Sequence, residues 1–444
     1  GKDIITLAGR VMSIRGQGGL TFCDLFDGSG REAQAGTMQL LLKKDEMNEQ
    51  VYTLFADAVD IGDIIEATGV AYTTKRGEQA LFVQSWTMLT KSLLPLPEKW
   101  HGLSDDDERY RKRYLDILIN PNVRELFEKK AKFWQVTRRF LEELGFLEVE
   151  TPTLELTTGG AEATPFAAHH KDFDLDVYLR ISVGELWQKR LMAAGFPRTF
   201  EIGRVYRNEG SSPEHIQEFT NMECYAAYMP FSEGKSLVQQ LYRTLANEVF
   251  GTSIFTTRGH VFDLEKEWIE IDYADEIKKQ TGVDIFAASI EEITARLNEL
   301  GVKYEGTNLE RLTDTLWKYC RKHISGPAFL VNHPLLVAPL SKTLASDVRK
   351  TEMFQVILAG SEMGRAHAEL NDPIEQARRF AVQQELLKAG DEEAMMADND
   401  FVEMLEHGMP PTFGFGFGER LFTFMADKPI RETQLFPLVK PRTQ

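Results

Sequence analysis

Residues that could do chemistry stand in three stretches of the sequence. In the first, EIGRVYRNEGSSPEHIQEFTNMECYAAY (201–228), a polar loop separates two strand-like runs. Alternation along the second run places four side chains on one face of a strand: Phe219, Asn221, Glu223 and Tyr225. An aromatic ring and a carboxylate could then share one pocket, although a charged hairpin on an exposed sheet explains the same pattern.

The other two stretches lie nearer the C-terminus. GSEMGRAHAELNDP (360–373) carries Glu362 and Glu369 among small residues, and isolated acids of this kind are more often solvated than catalytic. In PPTFGFGFGERLFTF (410–424), alternating glycine and phenylalanine predict a strand with one bare face, followed by a lone Arg420 at the start of a helix. Bare backbone lets a ligand approach closely, and tight packing is the competing explanation.

The common glycine-rich nucleotide loops are missing from the sequence. Neither GxxxxGK[ST] nor GxGxxG occurs, which excludes a P-loop and a Rossmann turn. If the chain uses ATP, another kind of site must bind it.

The elements around these stretches begin with a β-rich region. Up to about Leu94, five short β-like runs are broken by the turns GQGG, DGSG and RGE. This pattern favours a small closed barrel, with an OB-fold as the first candidate and an SH3-like barrel as the second. The proline-rich segment SLLPLPEKWHGL (92–103) then indicates a linker.

Beyond the linker, strands such as YLRIS, RTFEIGRVYR and FTNMECYAAYM alternate with helices. A long amphipathic helix should end at Gly145, and shorter ones are expected at 236–249, 290–299 and 374–389. We expect the segment from about Phe231 to Leu340 to be an insertion packed on the sheet, without site residues. The predicted fold class is α+β: an all-β barrel over 1–94, a linker over 95–108, and an antiparallel-sheet domain over 109–444.

Composition narrows the class of protein. The chain has 444 residues, enough for two or more cores, and its 43% hydrophobic and 27% charged residues are typical of a soluble globular protein. No apolar run approaches the length of a membrane span, and no secretory signal is found at the start of the sequence. The sequence starts at Gly1, which we expect to reflect removal of an N-terminal segment or an expression scar. Three dispersed cysteines (Cys23, Cys224 and Cys320) exclude a disulfide framework or a zinc site of the usual spacing and predict a cytoplasmic location.

The formal net charge of −17 argues against a general attraction to nucleic acid. Any RNA partner must therefore meet a local patch, and one basic-rich stretch runs from Arg109 to Arg139. Acidic residues interrupt it, so a solvated helix face is an equal alternative.

The order of the three stretches, with one further segment, resembles the class II aminoacyl-tRNA synthetases. FLEELGFLEVETPTL (140–154) is similar to the first motif of that family, a dimer-forming helix and strand closed by a proline, here Pro152. RVYRNEG…EFTNME resembles the second motif and FGFGERL the third. PLPEKWHGL, RYRKRYLDI, TPTL…GGAEATPF, ELNDPIEQA and LEHGMPPT resemble the lysyl-tRNA synthetases within the class. The resemblance covers nearly the whole chain and implies a homodimer that activates lysine with ATP and transfers it to tRNA(Lys).

For ATP, the resemblance implies six binding residues, of which the two arginines are catalytic: Arg207, Glu209, His215, Phe219, Glu362 and Arg420. Attack of a carboxylate on the α-phosphate builds negative charge on a pentacoordinate centre, so fixed cations and a metal ion are needed rather than a general base. Arg207 would clamp the carboxylate and the α-phosphate. Phe219 and Arg420 would sandwich the adenine, Glu209 would accept a hydrogen bond from its amino group, and His215 would lie along the outer phosphates. Mg²⁺ is the implied cofactor, with three candidate ligands: Glu362, Gln355 and Glu369.

For the amino acid, the resemblance implies seven residues: Gly160, Glu185, Glu223, Tyr225, Arg365, His367 and Glu369. Glu185 would bind the α-ammonium group, while Glu223, Tyr225 and Glu369 would surround the ε-ammonium group. Two carboxylates and a phenol at the end of a pocket select a cation, because a neutral or acidic substrate would leave them unpaired. This favours lysine over aspartate or asparagine, whose ligases share the architecture.

In the barrel, three residues match positions that read the anticodon in this subfamily: Arg15, Phe22 and Glu78. Phe22 would stack on an unstacked base, and Glu78 would hydrogen-bond to a base. Core packing is the competing explanation for Phe22, and simple exposure for Arg15.

The sequence departs from the family pattern near the amino acid. Gln355 stands where the family usually has a metal-binding glutamate, Arg365 where it has an asparagine that contacts the substrate carboxylate, and His367 where it has a phenylalanine. Re-wiring that still binds lysine is one explanation, and a paralogue with an altered amino acid or acceptor is the alternative. A binding protein without catalysis is disfavoured, because a dead site has no physical reason to retain Arg207 and Arg420 together.

Overall fold

The computed structural model describes residues 4–30, 36–74, 77, 79–97, 103, 105–161, 163–210, 212–304, 308–390 and 394–442. The chain forms two compact units, Gly1–Leu126 with Leu435–Gln444, and Phe127–Gln434. The boundary lies inside a long helix rather than in the proline-rich segment. The linker over 95–108 and the domain limits that flank it therefore stay predictions.

The first unit contains a closed five-stranded barrel. Its strands are β1 (Ile4–Gln17), β2 (Leu20–Phe26), β3 (Thr37–Lys43), β4 (Ile64–Thr73) and β5 (Gln79–Thr90), arranged in the order β1-β2-β3-β5-β4. Helix α1 (Glu49–Ala58) connects β3 to β4, and β3 pairs in parallel with β5. This topology is that of an OB-fold, so the first candidate is confirmed and the SH3-like barrel is wrong. Two short helices follow, α2 (Asp106–Arg111) and α3 (Arg113–Ile119).

Period-two alternation builds the barrel core. On β2, Thr21, Cys23 and Leu25 are buried, while the residues between them are only half-buried. At the β4–β5 register shift, a Cβ on Gly69 would collide with the backbone of Phe82, so glycine allows the two strands to approach closely there.

The second unit is built on an eight-stranded sheet. Its strands and those of two small sheets are β6 (Leu147–Glu148), β7 (Leu154–Glu155), β8 (Ala167–His170), β9 (Leu175–Leu179), β10 (Arg198–Tyr206), β11 (Glu218–Ala227), β12 (Ile254–Thr257), β13 (His260–Asp263), β14 (Ile269–Asp272), β15 (Ala328–Val331), β16 (Met353–Leu358), β17 (Ser361–Ala368) and β18 (Thr412–Gly418). The large sheet has the order β14-β15-β16-β17-β18-β11-β10-β6. It is antiparallel from β15 to β10, and only the outermost pairs are parallel. The predicted α+β class with an antiparallel sheet is confirmed.

The helices of this unit are α4 (Pro121–Glu143), α5 (Glu185–Ala193), α6 (Phe231–Leu245), α7 (Tyr273–Thr281), α8 (Ile290–Glu299), α9 (Leu309–Cys320), α10 (Pro373–Lys388), α11 (Asn399–Glu406) and α12 (Arg420–Met425). The four helices predicted in this region correspond to α4, α6, α8 and α10. The predicted strand YLRIS ends early, at Leu179, because the following residues turn into α5.

The segment from Phe231 to Leu340 is more than an insertion. It supplies β14 and β15 to the large sheet. Its helices α7, α8 and α9 pack on these strands through a buried apolar cluster that includes Ile277, Leu297 and Trp317. The segment is thus part of the sheet's own framework.

The basic-rich stretch between Arg109 and Arg139 serves the fold at two positions. The Arg113 guanidinium is fully buried and lies 2.7 Å from Asp116. Lys130 Nζ lies 3.0 Å from the buried Glu419 carboxylate and donates to the Thr433 carbonyl. A solvated helix face is therefore the wrong explanation for Arg113 and Lys130.

Among the described helices, none combines the length and the apolar composition needed to cross a membrane. All three cysteines are buried and free of disulfides.

Candidate active site

A cavity of about 400 Å³ opens on the glycine face of the large sheet. All fourteen residues that the sequence assigned to ATP, metal or lysine line it: Gly160, Glu185, Arg207, Glu209, His215, Phe219, Glu223, Tyr225, Gln355, Glu362, Arg365, His367, Glu369 and Arg420. The four alternating residues of β11 share this face, so that prediction is confirmed and the exposed hairpin is wrong. A volume of this size suits small-molecule substrates.

Strand register sets two rows of side chains across the cavity floor. One row crosses from β16 to β11 through Gln355, Arg365, Gly416 and Glu223. The neighbouring row crosses from β17 to β11 through His367, Gly414 and Tyr225. Directly paired residues of antiparallel strands point to the same side, so each row places its side chains together.

The alternating sequence of β18 serves both faces of the sheet. Its phenylalanines pack on the far side, where Phe417 stacks on Trp134 at 5.8 Å between ring centroids. Its glycines leave the cavity floor bare, since a Cβ on Gly414 would collide with Glu369 and Tyr225, and one on Gly416 would come within 2.8 Å of Glu223. Tight packing therefore applies at these glycines, and close approach of a ligand to the bare floor stays a prediction.

The amino acid end of the cavity is acidic and buried. Lys189 Nζ lies 3.0 Å from Glu185 Oε1 and 2.6 Å from Glu369 Oε2, and all three side chains are buried. Burial alone would lower the pKa of Lys189, but the two carboxylates raise it to about 12. Lys189 is a buried cation that sequence analysis missed, although its spacing of four residues from Glu185 on α5 suits an ion pair.

Gly160 and Glu185 lie in close contact. Gly160 has a positive φ of 84°, and a Cβ there would lie 2.5 Å from Ser182 Oγ and 2.7 Å from Glu185 Cβ. The hydroxyl of Ser182 donates to the Gly159 carbonyl, which fixes the turn before α5. The close approach brings the Gly160 backbone against the Glu185 side chain.

Glu223 is ordered by three donors. Its Oε1 accepts from the Val183 amide at 2.8 Å and from Asn221 Nδ2 at 3.1 Å, and its Oε2 accepts from the Tyr225 hydroxyl at 3.0 Å. Burial, followed by repulsion from Glu185, raises the pKa of Glu223 to about 7.

Glu369 has a carboxylate oxygen without a partner. Its Oε1 is buried and accepts no hydrogen bond in the described part of the chain, while Oε2 faces Lys189. Burial raises the pKa of Glu369 to about 8. A buried acceptor without a donor is costly, so this oxygen marks a place for a donor from outside the chain.

One histidine, His367, borders the acidic end, and a second, His333, hydrogen-bonds to Gln355 in the neighbouring row. His367 contacts the Ser341 hydroxyl through Nδ1, and burial, with Arg365 next, lowers its pKa well below the usual value. Burial also lowers the pKa of His333 to about 4. Both imidazoles are thus neutral near pH 7 and add no positive charge to this end.

The nucleotide end is more open and rich in cations. The Arg207 guanidinium lies 5.3 Å from the Phe219 ring centroid and donates to the Ile181 carbonyl. Arg420, at the start of α12, donates to the Glu362 carbonyl at 3.0 Å and lies 3.7 Å from Glu214. These positions leave cationic and aromatic groups facing the same space.

The two remaining predicted ATP residues lie on the polar loop between β10 and β11. His215 shares a hydrogen bond of 2.8 Å with the Ser212 hydroxyl. The carbonyl of Glu209 accepts from Gln217 Nε2 at 2.9 Å, and the residue lines the cavity.

The three predicted metal ligands do not form one metal site in this structure. Glu369 pairs with Lys189, and in Glu362 both carboxylate oxygens accept hydrogen bonds, from Trp317 at 2.8 Å and from Gln355 at 3.0 Å. Over the residues that the structure describes, no three His, Cys, Asp or Glu side chains are grouped to bind a metal ion. The residues as placed do not fit a protein-held ion.

Helix α9 contributes cavity residues that sequence analysis missed. Arg311, Asp314 and Lys318 line the nucleotide end, and Trp317 reaches Glu362. The amphipathic pattern of α9 indicates a helix, but only the folded sheet shows that its polar edge faces the cavity.

In the barrel, Arg15 and Phe22 face each other across β1 and β2. Phe22 is half-buried on the outer face and is not part of the barrel core, so core packing is the wrong explanation for it. Phe22 pairs with Leu41, which in turn pairs with Phe82, and Lys43 lies 5.7 Å from the Phe82 ring. Phe82 and Lys43 are thus further candidates, whereas Glu78 lies outside the described residues.

Comparison with known proteins agrees with this architecture. Residues 105–440 match the family described as tRNA synthetases class II (D, K and N), and residues 5–89 match the OB-fold nucleic acid binding domain. The lysine–tRNA ligase of Thermotoga maritima is 42% identical over 443 residues, 99% of this chain and 87% of that protein. Those of a Roseiflexus species and of Halalkalibacterium halodurans are 42% and 41% identical, over 99% and 98% of this chain and 89% and 86% of their own. The chain therefore belongs to the class II tRNA synthetases, and within them to the lysine–tRNA ligase family.

Proposed function

We propose that this chain is a ligase that activates L-lysine with ATP to lysyl-adenylate and transfers the lysyl group to the 3′ end of tRNA(Lys). The observation that carries the proposal is the buried Oε1 of Glu369, which has no donor among the described residues. Glu223 and Tyr225 stand beside it at the closed end of the cavity. The ε-ammonium group of lysine supplies the missing donor together with the missing charge.

The acidic end carries more carboxylates than cations. Among the described residues, Glu185, Glu223 and Glu369 face one buried ammonium, that of Lys189. A lysine substrate places its α-ammonium at Glu185, beside Gly160, and its ε-ammonium between Glu223 and Glu369. An aspartate side chain would instead add a fourth carboxylate to this group, which explains selection against it.

At the other end, Arg207 would neutralise the charge that builds as the lysine carboxylate attacks the α-phosphate. Phe219 and Arg420 would hold the adenine between a ring and a guanidinium, with Glu209 at its amino group and His215 along the outer phosphates. Pyrophosphate leaves as the carboxylate–phosphate bond forms, so no general base is required. Divalent metal ions generally accompany ATP in this family, and Mg²⁺ would arrive as part of the substrate.

The homodimer is part of the proposal, because the region of the first motif exposes apolar side chains. Leu147, Leu154 and Leu156 are 51%, 53% and 64% exposed, and Leu147 lies on the edge strand β6. Exposed leucines in one region are typical of a surface that another protomer covers. Light scattering should give the mass of two chains, and a monomer at micromolar concentration would contradict this part.

The tRNA would meet the outer face of the barrel. Phe22 offers a ring for an unstacked anticodon base, and Arg15 offers a charge beside it. Phe22→Leu should weaken aminoacylation of tRNA(Lys) without changing lysine activation. Three buried, reduced cysteines suit a cytoplasmic enzyme.

The first experiment is ATP–pyrophosphate exchange with each of the twenty amino acids. We expect exchange with lysine alone, reduced about a hundredfold or more in Glu369→Gln, because a buried charge pair loses one partner. Glu385→Gln, on the exposed side of α10, is the matched control and should behave as the wild type.

Two results would contradict the proposal. Exchange with a different amino acid would show that Arg365 and His367 have changed the substrate. Absence of exchange with every amino acid would favour a binding protein that retains the fold.

A further inference from the structure

The Glu362 carboxylate is already satisfied by the protein. Trp317 Nε1 donates to its Oε1 at 2.8 Å, and Gln355 Nε2 donates to its Oε2 at 3.0 Å. The Arg321 guanidinium lies 3.8 Å from Oε1. Both oxygens therefore have hydrogen-bond donors, and the negative charge has a fixed cation beside it.

Gln355 is fixed with its amide nitrogen toward Glu362. Its Oε1 lies 3.1 Å from Nε2 of the buried His333, whose neutral ring can donate one hydrogen bond. Turning the amide would place its oxygen against the Glu362 carboxylate and its nitrogen against that donor. The pair consequently presents an N–H donor and a carboxylate in which each oxygen already accepts one hydrogen bond, whereas Mg²⁺ binds oxygen ligands and not an amide N–H.

Arg365 stands beside this pair with its charge free. It is the direct register partner of Gln355 on β17, and on its other side Gly416 has no side chain. Arg365 is exposed at the cavity wall and makes no hydrogen bond or ion pair with any residue that the structure describes. A guanidinium presents five donors in a planar fork that matches two phosphate oxygens.

We propose that Arg365 binds the phosphate oxygens of ATP directly and replaces a protein-held divalent cation, so that Gln355 and Glu362 bind no metal ion of their own. The charges support this exchange, because Arg321 already lies beside Glu362 and the positive charge of Arg365 is left to meet an anionic ligand. The lysine carboxylate meets the α-phosphate in the reaction, so a single guanidinium can contact both. The inference rests on the proposed function, since ATP must be the nucleotide.

Counting bound metal ions tests the first part. Full-length protein is titrated with Mn²⁺ at a saturating concentration of a non-hydrolysable ATP analogue, and bound ions are counted by electron paramagnetic resonance. We expect one Mn²⁺ per active site, carried by the nucleotide. The double variant Gln355→Glu, Arg365→Asn should bind a second, because a second carboxylate then faces Glu362 and the guanidinium is gone.

Calorimetry of ATP binding in EDTA tests the second part. Wild-type protein should bind ATP without a divalent ion, and Arg365→Met should bind it about tenfold more weakly or worse, since a charge-assisted hydrogen bond is lost. Arg378→Met, an exposed arginine on α10, is the control. Arg365 has no partner within the described chain, so its replacement should leave the melting temperature unchanged.

The outcomes separate this inference from the proposed function. Two Mn²⁺ per site in the wild type, or unchanged ATP affinity in Arg365→Met, would overturn the inference while ATP binding itself stood. Failure to bind ATP in any buffer would overturn both.

Discussion

At the amino acid end of the cavity, the charged side chains are buried and partly paired within the protein. At the nucleotide end, the charged side chains are accessible to solvent. Glu223 and Glu369 are nearly inaccessible to solvent, but Arg365 is exposed. The acidic end has already undergone the desolvation that selects a cationic side chain. The nucleotide end binds ATP, whose phosphates are negatively charged, so it needs fixed cations rather than a closed pocket. Changes at the first end should affect selectivity and stability, and changes at the second should affect rate.

The largest effect is expected at the nucleotide end. Arg207→Met removes the cation nearest Phe219, and we expect lysine-dependent ATP–pyrophosphate exchange to fall about a hundredfold to a thousandfold, because charge on the α-phosphate loses its fixed partner. Thermal stability should hardly change. Arg204→Met, three residues earlier on β10, exposed and outside the cavity, is the control. A loss confined to the KM for lysine would show that Arg207 serves the amino acid instead.

At the acidic end, Lys189→Met should affect stability first. The variant leaves the buried carboxylates of Glu185 and Glu369 without their cation, and we expect unfolding free energy to fall by about 3–5 kcal/mol. Chemical denaturation measures this change, with exposed Lys388→Met as the control. Adding Glu369→Gln to Lys189→Met should recover part of the loss. A loss that is no smaller in the double variant would mean that packing, rather than charge, explains the effect.

Gly414→Ala should impair the use of lysine but not the binding of ATP, because the added methyl group occupies only the amino acid end of the cavity. The added methyl group would collide with Glu369 and with the Tyr225 ring, so kcat/KM for lysine should fall about a hundredfold, as for a reacting group displaced by an ångström. ATP binding measured by calorimetry should stay near the wild-type value. Gly16→Ala, where a Cβ meets nothing within 4 Å, is the matched control in the barrel. Equal losses for lysine and ATP would contradict the division of the cavity.

The same division explains what could be predicted from sequence. Alternation along β11 depends only on local geometry, so the shared face of Glu223 and Tyr225 follows from spacing. The bare face of β18 follows in the same way. The resemblance to a family then supplied roles for these residues, and all of them line one cavity.

What could not be predicted depends on contacts between distant segments. Lys189 is four residues from Glu185, but its bond to Glu369 spans 180 positions and is set by packing of α5 on β11. Trp317 reaches Glu362 only because α9 packs on the sheet. The four-residue strands β14 and β15 are too short for a periodic signal. Their place is set by pairing, of β15 with β16 and of β14 with β15.

The smallest expected effect is a dependence of lysine binding on pH. In the free protein, burial raises the pKa of both Glu369 and Glu223, so both carboxyl groups take up protons at a higher pH than an exposed glutamate does. The ε-ammonium of lysine favours their ionised forms and must lower these pKa values when it binds. Binding therefore releases protons, and lysine affinity should rise with pH between about 6 and 8, by at most about tenfold per pH unit for each proton released.

Calorimetry in buffers of different ionisation enthalpy measures the proton release directly. Glu369→Gln should remove the part that titrates near pH 8, while ATP binding should show no such release, because these two carboxyl groups lie at the other end of the cavity. An affinity for lysine that stays flat or falls over this range would mean that both carboxylates are already ionised in the free protein. The ammonium group of Lys189 would then be enough to stabilise the ionised carboxylates. The two ends of the cavity would differ in the burial of their side chains and not in unpaired charge.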